Sequence, residues 1–344
     1  MKNIPIEKDC AFLITDRLTR KYLCDVDIAE GFLILGKSAV AFTDARYFYA
    51  AKTTLEKVGV PCRLYKGVES LAEYLKETGA KTLLLDYGKT TLKDYGVYKN
   101  FGLEIKDGAH LIEKARSIKD QNELDCIKRA CAIAQKAYHE AIKSVKKGIT
   151  ENQLKRNLET LMFSYGAEEI AFDTIVAFGE HAAVPHHETG ETALTDNQVI
   201  LVDMGCKVNG YCSDLTRTAF FGNPDVKFLS AYGAVLNANE LAEENITDRT
   251  SAKAADGIAR DYLSECGYGE YFTHSLGHGV GLEIHEYPTV SPRSDAILTE
   301  GTVFTVEPGV YFDGEFGIRI EDTVVIKNGK VERLFTDDKR LLIL

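Results

Sequence analysis

The chain has 344 residues, 45% apolar and 27% charged, with a formal net charge of −11. That length makes one large or two medium domains with ample core. The acidic balance argues against nucleic acid or an anionic membrane as the main partner, and no apolar run approaches the ~20 residues of a membrane span. The amino terminus runs straight into charge without a signal peptide, so the expected location is the cytoplasm.

Residues 1 to about 115 read as a compact α/β unit. Residues 31–36 and 39–44 form an apolar hairpin pattern, with Lys37-Ser38 at its turn. A helix over 47–58, a strand over 62–65, a helix over 68–77 ended by Gly79, and a strand over 82–86 come next, predicting a mixed sheet with helices packed on it. The boundary is predicted as a helix start, with Ser117 as cap and Asp120 three residues on. Beyond it Leu124, Ile127, Cys131, Ala134, Tyr138, Ile142 and Val145 recur at helical spacing up to Gly148. Thr150 with Gln153 is a second capping box, opening a helix that ends by Gly166. Helices are also expected over 225–247 and 251–266, and the rest of this half is strand-like. The predicted architecture is therefore α+β, with domains at 1–115 and 116–344. Eight cysteines are scattered without a Cys-x-x-Cys pair and read as free buried thiols. Cys206 and Cys212, which flank an acidic hairpin, leave a disulfide or thiolate role open.

Two acidic hairpins stand out. The first holds Asp203, Asn209-Gly210 and Asp214; the second holds Glu307, Asp313-Gly314 and Glu321. Asn-Gly is a strong two-residue turn signal. Folding about it pairs Val208 with Tyr211, Gly205 with Asp214 and Asp203 with Thr216, placing both acids on one face as diagonal neighbours. Gly205 is expected to leave an open place there for an ion or substrate. The second hairpin brings Glu307 opposite Glu321 only with an odd loop, such as 313–315, or a bulge near Pro308. Asp203 follows the apolar run 199–202 and Glu307 follows 303–306, the pattern of buried strands. Buried carboxylates with no nearby excess of lysine are costly, and divalent cations would balance them.

Six of the eight histidines fall between 181 and 285, and His278 sits among Gly277, Gly279 and Gly281. So much glycine disfavours a helix and suits a bent strand with close backbone approach. His110 and His139 read as ordinary core histidines bonded to backbone; His181 and His187 lean the same way.

In that order, Asp203, Asp214, His278, Glu307 and Glu321 resemble the five metal ligands of the pita-bread metallopeptidases. Segments 172–176, 184–186, 274–286, 307–309 and 317–322 are closest in wording to prolidases and Xaa-Pro aminopeptidases, and Thr43-Asp44-Ala45-Arg46-Tyr47 extends the likeness into the amino-terminal half. The resemblance implies a pita-bread catalytic domain, an antiparallel sheet covered by helices, behind a smaller creatinase-like α/β domain. It implies that Asp203 binds one metal, that Asp214 and Glu321 bridge two, and that His278 and Glu307 complete the second. It makes His186 and His285 holders of the substrate carbonyl and the tetrahedral intermediate, His274 a wall of the pocket beyond the scissile bond, and Arg319 with Tyr311 the pair that orients the carboxylates.

The implied reaction is hydrolysis of the bond between an amino-terminal residue and proline by a metal-bridging hydroxide, with Glu307 accepting its proton. An Xaa-Pro bond is a tertiary amide without N–H, so a shaped pocket must select it. Four carboxylates and one imidazole form a hard ligand set that favours Mn²⁺, with Co, Fe or Zn as substitutes. The expected partners are small peptides with proline second, leaning to longer peptides or mixed use, and the expected assembly is a homodimer. His187 stands where members of the resembled family often carry glycine or alanine. Two rival readings keep the fold: a non-catalytic binding module, and a metal hydrolase of a non-peptide substrate. The intact ligand set counts against the first.

Overall fold

The computed structural model describes residues 1–344, which divide into two compact units, Met1–Ala115 and Arg116–Leu344. No helix is long and apolar enough to cross a membrane.

The first unit is built on six short strands: β1 (Cys10–Ile14), β2 (Phe32–Leu35), β3 (Val40–Thr43), β4 (Cys62–Leu64), β5 (Thr82–Leu85) and β6 (Glu104–Asp107). They form one sheet in the order β4-β3-β2-β1-β5-β6, antiparallel at β1–β2 and β2–β3 and parallel elsewhere. The helices α1 (Arg17–Cys24), α2 (Phe48–Lys57), α3 (Val68–Thr78) and α4 (Leu92–Tyr98) lie between strands in the chain. Leu13, Ile34, Phe42, Leu71, Leu75, Leu83 and Leu85 make a shared core, each contributing about 1.5–3 kcal/mol from burial. The helix α5 (Ala109–Ser117) runs across the division.

Ser117 does not cap the next helix. The capping box is Asp120 with Glu123, and it opens α6 (Gln121–Ala141). The Asp120 carboxylate accepts the Glu123 N–H at 3.0 Å and Glu123 accepts the Asp120 N–H at 2.8 Å, so Asp120 is the cap rather than its third residue. The Thr150–Gln153 box is present at the start of α7 (Glu151–Ser164).

The chain then runs through β7 (Glu169–Ile170), β8 (Ile175–Phe178), β9 (Gln198–Met204), β10 (Cys206–Val208), β11 (Tyr211–Cys212) and β12 (Leu215–Phe221). After α8 (Val226–Asn245) and α9 (Ala252–Glu265) come β13 (Gly277–Gly279), β14 (Glu286–Val290), β15 (Val303–Val306), β16 (Gly309–Phe312), β17 (Phe316–Arg319), β18 (Asp322–Lys327), β19 (Lys330–Arg333) and β20 (Leu342–Ile343). Two sheets, β20-β12-β9-β8 and β14-β13-β15-β18-β19, carry the strands that flank the acidic residues. All their pairings are antiparallel except the short edge pair β12–β20.

Alternation along β9 sorts its side chains between two cores. Ile200, Val202 and Met204 join the cluster containing α6 and α7, while Val199 and Leu201 join that of α8 and α9. Asp203 continues the second set.

Candidate metal centre

Both hairpins deliver their acids as the alternation requires. The first turns at Asn209-Gly210, both with positive φ, and pairs Val208 with Tyr211 and Asp203 with Thr216. In the second, Phe312 pairs with Phe316 around the three residues 313–315, and the adjoining strands pair Val306 with Asp322. One register runs through both segments and sets Glu307 opposite Glu321.

Gly205 does not provide an open place. A Cβ there would lie 2.1 Å from the Ser213 carbonyl oxygen and 2.7 Å from the Phe172 ring, so this glycine permits close strand approach instead. Gly277 serves the same purpose, since its Cβ would fall 2.0 Å from the Thr305 carbonyl oxygen. A register shift between His278 and Gly279 bends this strand.

Five side chains distant in sequence meet here. Nε2 of His278 lies 3.5 Å from Oδ2 of Asp214 and 3.4 Å from Oε1 of Glu307. Ligand atoms of Asp214, His278 and Glu321 all fall within 4.8 Å of one another. Nδ1 of His278 donates to the Gly279 carbonyl at 3.1 Å, leaving Nε2 to present its lone pair to the acids. Oδ2 of Asp203 takes a hydrogen bond from Arg319 at 2.7 Å, and its Oδ1 is buried without a partner.

The electrostatics point the same way. Burial and the charges of Glu321, Asp203 and Glu307 hold the Asp214 carboxyl well above its ordinary range, and Glu321 is held up by burial and its acidic neighbours. Burial pushes Glu307 up to about 7. Burial alone would depress Arg319, yet Tyr311 and the acids around it hold its pKa above normal. One guanidinium cannot balance four carboxylates. The surplus negative charge, the orphaned Asp203 oxygen and the aimed imidazole fit divalent cations held by Asp203, Asp214, His278, Glu307 and Glu321.

Arg319 also donates to the Tyr311 hydroxyl at 2.8 Å, and Tyr311 donates to Nε2 of His274 at 2.9 Å. His274 Nδ1 donates to the Ser275 carbonyl at 2.8 Å; burial and Arg319 lower its pKa to about 4 and so keep the ring neutral. His285 and His186 are exposed. The His285 ring centroid is 4.3 Å from that of His278, and its proton affinity is lowered by burial, then by His278 and His186.

Several supporting residues escaped sequence reasoning. Thr216 donates to Glu321 at 2.6 Å and accepts from Arg319 at 3.1 Å. Thr305 donates to Glu307 at 3.0 Å and accepts the His278 N–H at 3.1 Å. Asn239 of α8, fully buried, donates to the carbonyls of Val306 (2.8 Å) and Ile320 (3.2 Å), the residues just before Glu307 and Glu321. Its amide oxygen accepts from the buried Lys339 ammonium. The available signal was an asparagine among Val235, Ala238 and Ala242 on the apolar stripe of a helix. Arg217 bonds the Glu321 carbonyl and forms ion pairs with Asp322 and Asp337.

Other expectations need correction. His110 and His139 are exposed, not core, because their helix positions face solvent. His181 and His187 bond the Glu151 carboxylate rather than backbone. All eight cysteines are free, but only Cys24, Cys131, Cys206 and Cys212 are buried. The Cys206 and Cys212 thiols accompany backbone carbonyls, and burial pushes them up to about 11 and about 12.

Residues 125–328 match the model of metallopeptidase family M24, and residues 7–118 that of the creatinase/prolidase amino-terminal domain. The Xaa-Pro dipeptidase of Pyrococcus furiosus is 37% identical over 321 residues, covering 92% of this chain and 90% of that one. An uncharacterised peptidase of Bacillus subtilis is 34% identical over 338 residues, covering 96% and 95%. Among solved structures, an Xaa-Pro dipeptidase from Bacillus anthracis superposes with a TM-score of 0.92 at 35% identity, covering 97% of this chain and 95% of that one. An X-Pro aminopeptidase from Thermotoga maritima gives 0.87 at 33%, with the same coverage. The buried acids, the turned imidazole and these likenesses lead to one conclusion: the chain belongs to metallopeptidase family M24, a pita-bread peptidase domain preceded by a creatinase-type amino-terminal domain.

Proposed function

We propose that this chain hydrolyses the peptide bond between an amino-terminal residue and a following proline, in a pita-bread peptidase domain over 116–344 behind the domain at 1–115. Asp203, Asp214, His278, Glu307 and Glu321 would hold two divalent cations, with Mn²⁺ favoured by the excess of carboxylate ligands. When bound, such ions lower the pKa of water and polarise the carbonyl under attack.

The chain's own groups do the rest. Glu307 accepts a proton on its carboxylate and passes it toward the leaving nitrogen; the lift that burial gives it suits that exchange. His186 and His285, exposed beside the acids, donate to the substrate carbonyl as negative charge develops there. His274, kept neutral by burial and the Arg319 charge and held by Tyr311 and the Ser275 carbonyl, forms a wall of the proline pocket without adding charge. Arg319 holds Asp203 and Tyr311 together, so a single guanidinium orients both.

The observation that carries this reading is the approach of His278 Nε2 to both Asp214 and Glu307 beside an unpartnered oxygen of Asp203. Its test is turnover of Xaa-Pro dipeptides against tripeptides with proline second, with and without added Mn²⁺, by wild type and Asp214→Asn. Wild type should cut before proline, Mn²⁺ should raise the rate, and the folded variant should be inactive. Retained turnover in Asp214→Asn refutes the mechanism, and the ratio between the two substrates sets the length preference. A cytoplasmic homodimer belongs to the same proposal, by family resemblance; analytical ultracentrifugation tests the assembly.

A further inference from the structure

A second group of metal-binding side chains takes no part in the proposed reaction. Glu151 opens α7 and is fully buried. Its Oε1 accepts the Phe178 N–H at 2.9 Å and lies 2.8 Å from Nδ1 of His181. Its Oε2 accepts the Gly190 N–H at 3.0 Å and lies 3.0 Å from Nε2 of His187. The two imidazole rings are 4.4 Å apart at 34°. One nitrogen from each ring and one carboxylate oxygen lie within 4.8 Å of one another. None of these hydrogen-bond partners is a lysine or arginine.

We propose that Glu151, His181 and His187 form a separate site for one borderline divalent cation of the Zn²⁺ type. Two imidazole nitrogens and a carboxylate are the donors such ions take, with a water completing the shell. Ligand atoms each about 2.0–2.1 Å from one ion are separated by about 2.9 Å at a right angle and about 3.3 Å at a tetrahedral one. The two observed nitrogen–oxygen separations, each to a different oxygen of the carboxylate, lie near the right-angle value, so side-chain adjustments bring the three groups onto one ion. Each ring must move its proton to the other nitrogen and tilt, so that the freed lone pair faces the ion and not the carboxylate oxygen. The Phe178 and Gly190 N–H groups stay on the carboxylate and orient it.

Burial by itself would raise the Glu151 carboxyl, but its hydrogen bonds to His187, Phe178, Gly190 and His181 outweigh that and keep it anionic. The imidazole side chains are 33% and 13% exposed, which gives an ion and its water a way in. The donor chemistry also separates this site from the main centre. Four carboxylates and one imidazole favour Mn²⁺, whereas two imidazoles and one carboxylate favour Zn²⁺, so the two ions should partition.

The test uses the full chain, stripped of metal and equilibrated with Zn²⁺. Bound zinc per chain is counted by mass spectrometry in wild type and in His181→Asn/His187→Gly. The double variant should hold one ion fewer per chain, and Mn²⁺-supported peptidase activity should persist in it. Equal counts overturn the proposal and leave the cluster as a hydrogen-bonded clasp. Should the double variant fail to fold, His187→Gly alone, which keeps the Glu151–His181 bond, is compared instead; its zinc affinity should fall at least tenfold, and an unchanged affinity overturns the site. A parallel count on Asp214→Asn reads the main centre separately, so failure of one site is distinguishable from failure of the other.

Discussion

Arg319 donates from Nη2 to Oδ2 of Asp203 at 2.7 Å, while Oδ1 of the same carboxylate is buried with no partner. One oxygen is thereby fixed by the protein and the other is reserved. The same guanidinium reaches Tyr311 and Thr216, and Thr216 holds Glu321, so two acids from different hairpins share one anchor.

Arg319→Met should therefore weaken metal binding by about 10- to 100-fold, the usual effect of removing a group that orients ligands. Arg319→Lys should recover little of it, because an ammonium cannot reproduce the planar fork that meets Asp203, Tyr311 and Thr216 together. Mn²⁺ titration calorimetry on the stripped proteins checks both. Wild-type affinity in Arg319→Met would sink the anchoring role.

Asn239 ties the backbone ahead of Glu307 to the backbone ahead of Glu321, and Lys339 fixes which way its amide faces. Asn239→Leu leaves two buried carbonyls and an ammonium without that partner. Lys339 keeps Glu243 and Asp322, so the loss falls on the two carbonyls; at about 1–3 kcal/mol for each unsatisfied group, urea unfolding of the stripped protein should show a loss of about 2–6 kcal/mol. Metal affinity should fall as well, since both glutamates lose their alignment. A variant that loses stability yet keeps wild-type affinity would make Asn239 a structural residue only.

Glu243 and Asp322 share the Lys339 ammonium, at 2.7 Å and 3.2 Å. Burial and the Asp322 charge raise Glu243 to about 7, whereas Asp322 falls to about 2 because Arg217, Lys339 and Arg333 outweigh its burial. Folded Glu243 keeps its proton up to about pH 7, and the unfolded chain loses it near 4.5. The resulting stabilisation is complete below pH 4.5 and disappears as pH rises through 7. Denaturant unfolding of wild type and Glu243→Gln at fixed metal content should give a difference that declines over this window by about 3 kcal/mol at most. A flat difference would show that Glu243 ionises normally.

Much of the fold and the centre was legible because it is local. The Asn209-Gly210 turn and period-two alternation are enough to place Asp203 opposite Thr216, and an odd loop is enough to face Glu307 toward Glu321. The Thr150–Gln153 box was readable for the same reason, since all its bonds lie within four residues. Gly205 misled because a missing side chain looks the same in sequence whether the space goes to an ion or to the Ser213 carbonyl. Ser117 misled because two cap-like residues lie three apart and only the Glu123 side chain reaching back selects Asp120.

The amino-acid order by itself determined most of the elements, the register of the first hairpin and the inventory of acids and imidazoles, since each comes from turn chemistry and a short period; the structure chose the odd loop of the second hairpin. Only the tertiary structure decided how those groups meet. Thr216 reaches Glu321 across 105 positions, and Lys339 orients Asn239 across 100. The aim of His278, the orphaned oxygen of Asp203 and the Glu151 cluster are decided likewise. The cause is desolvation: once the sheets and helices close over these charges, each must find a partner in space, and no local pattern records which one it will be.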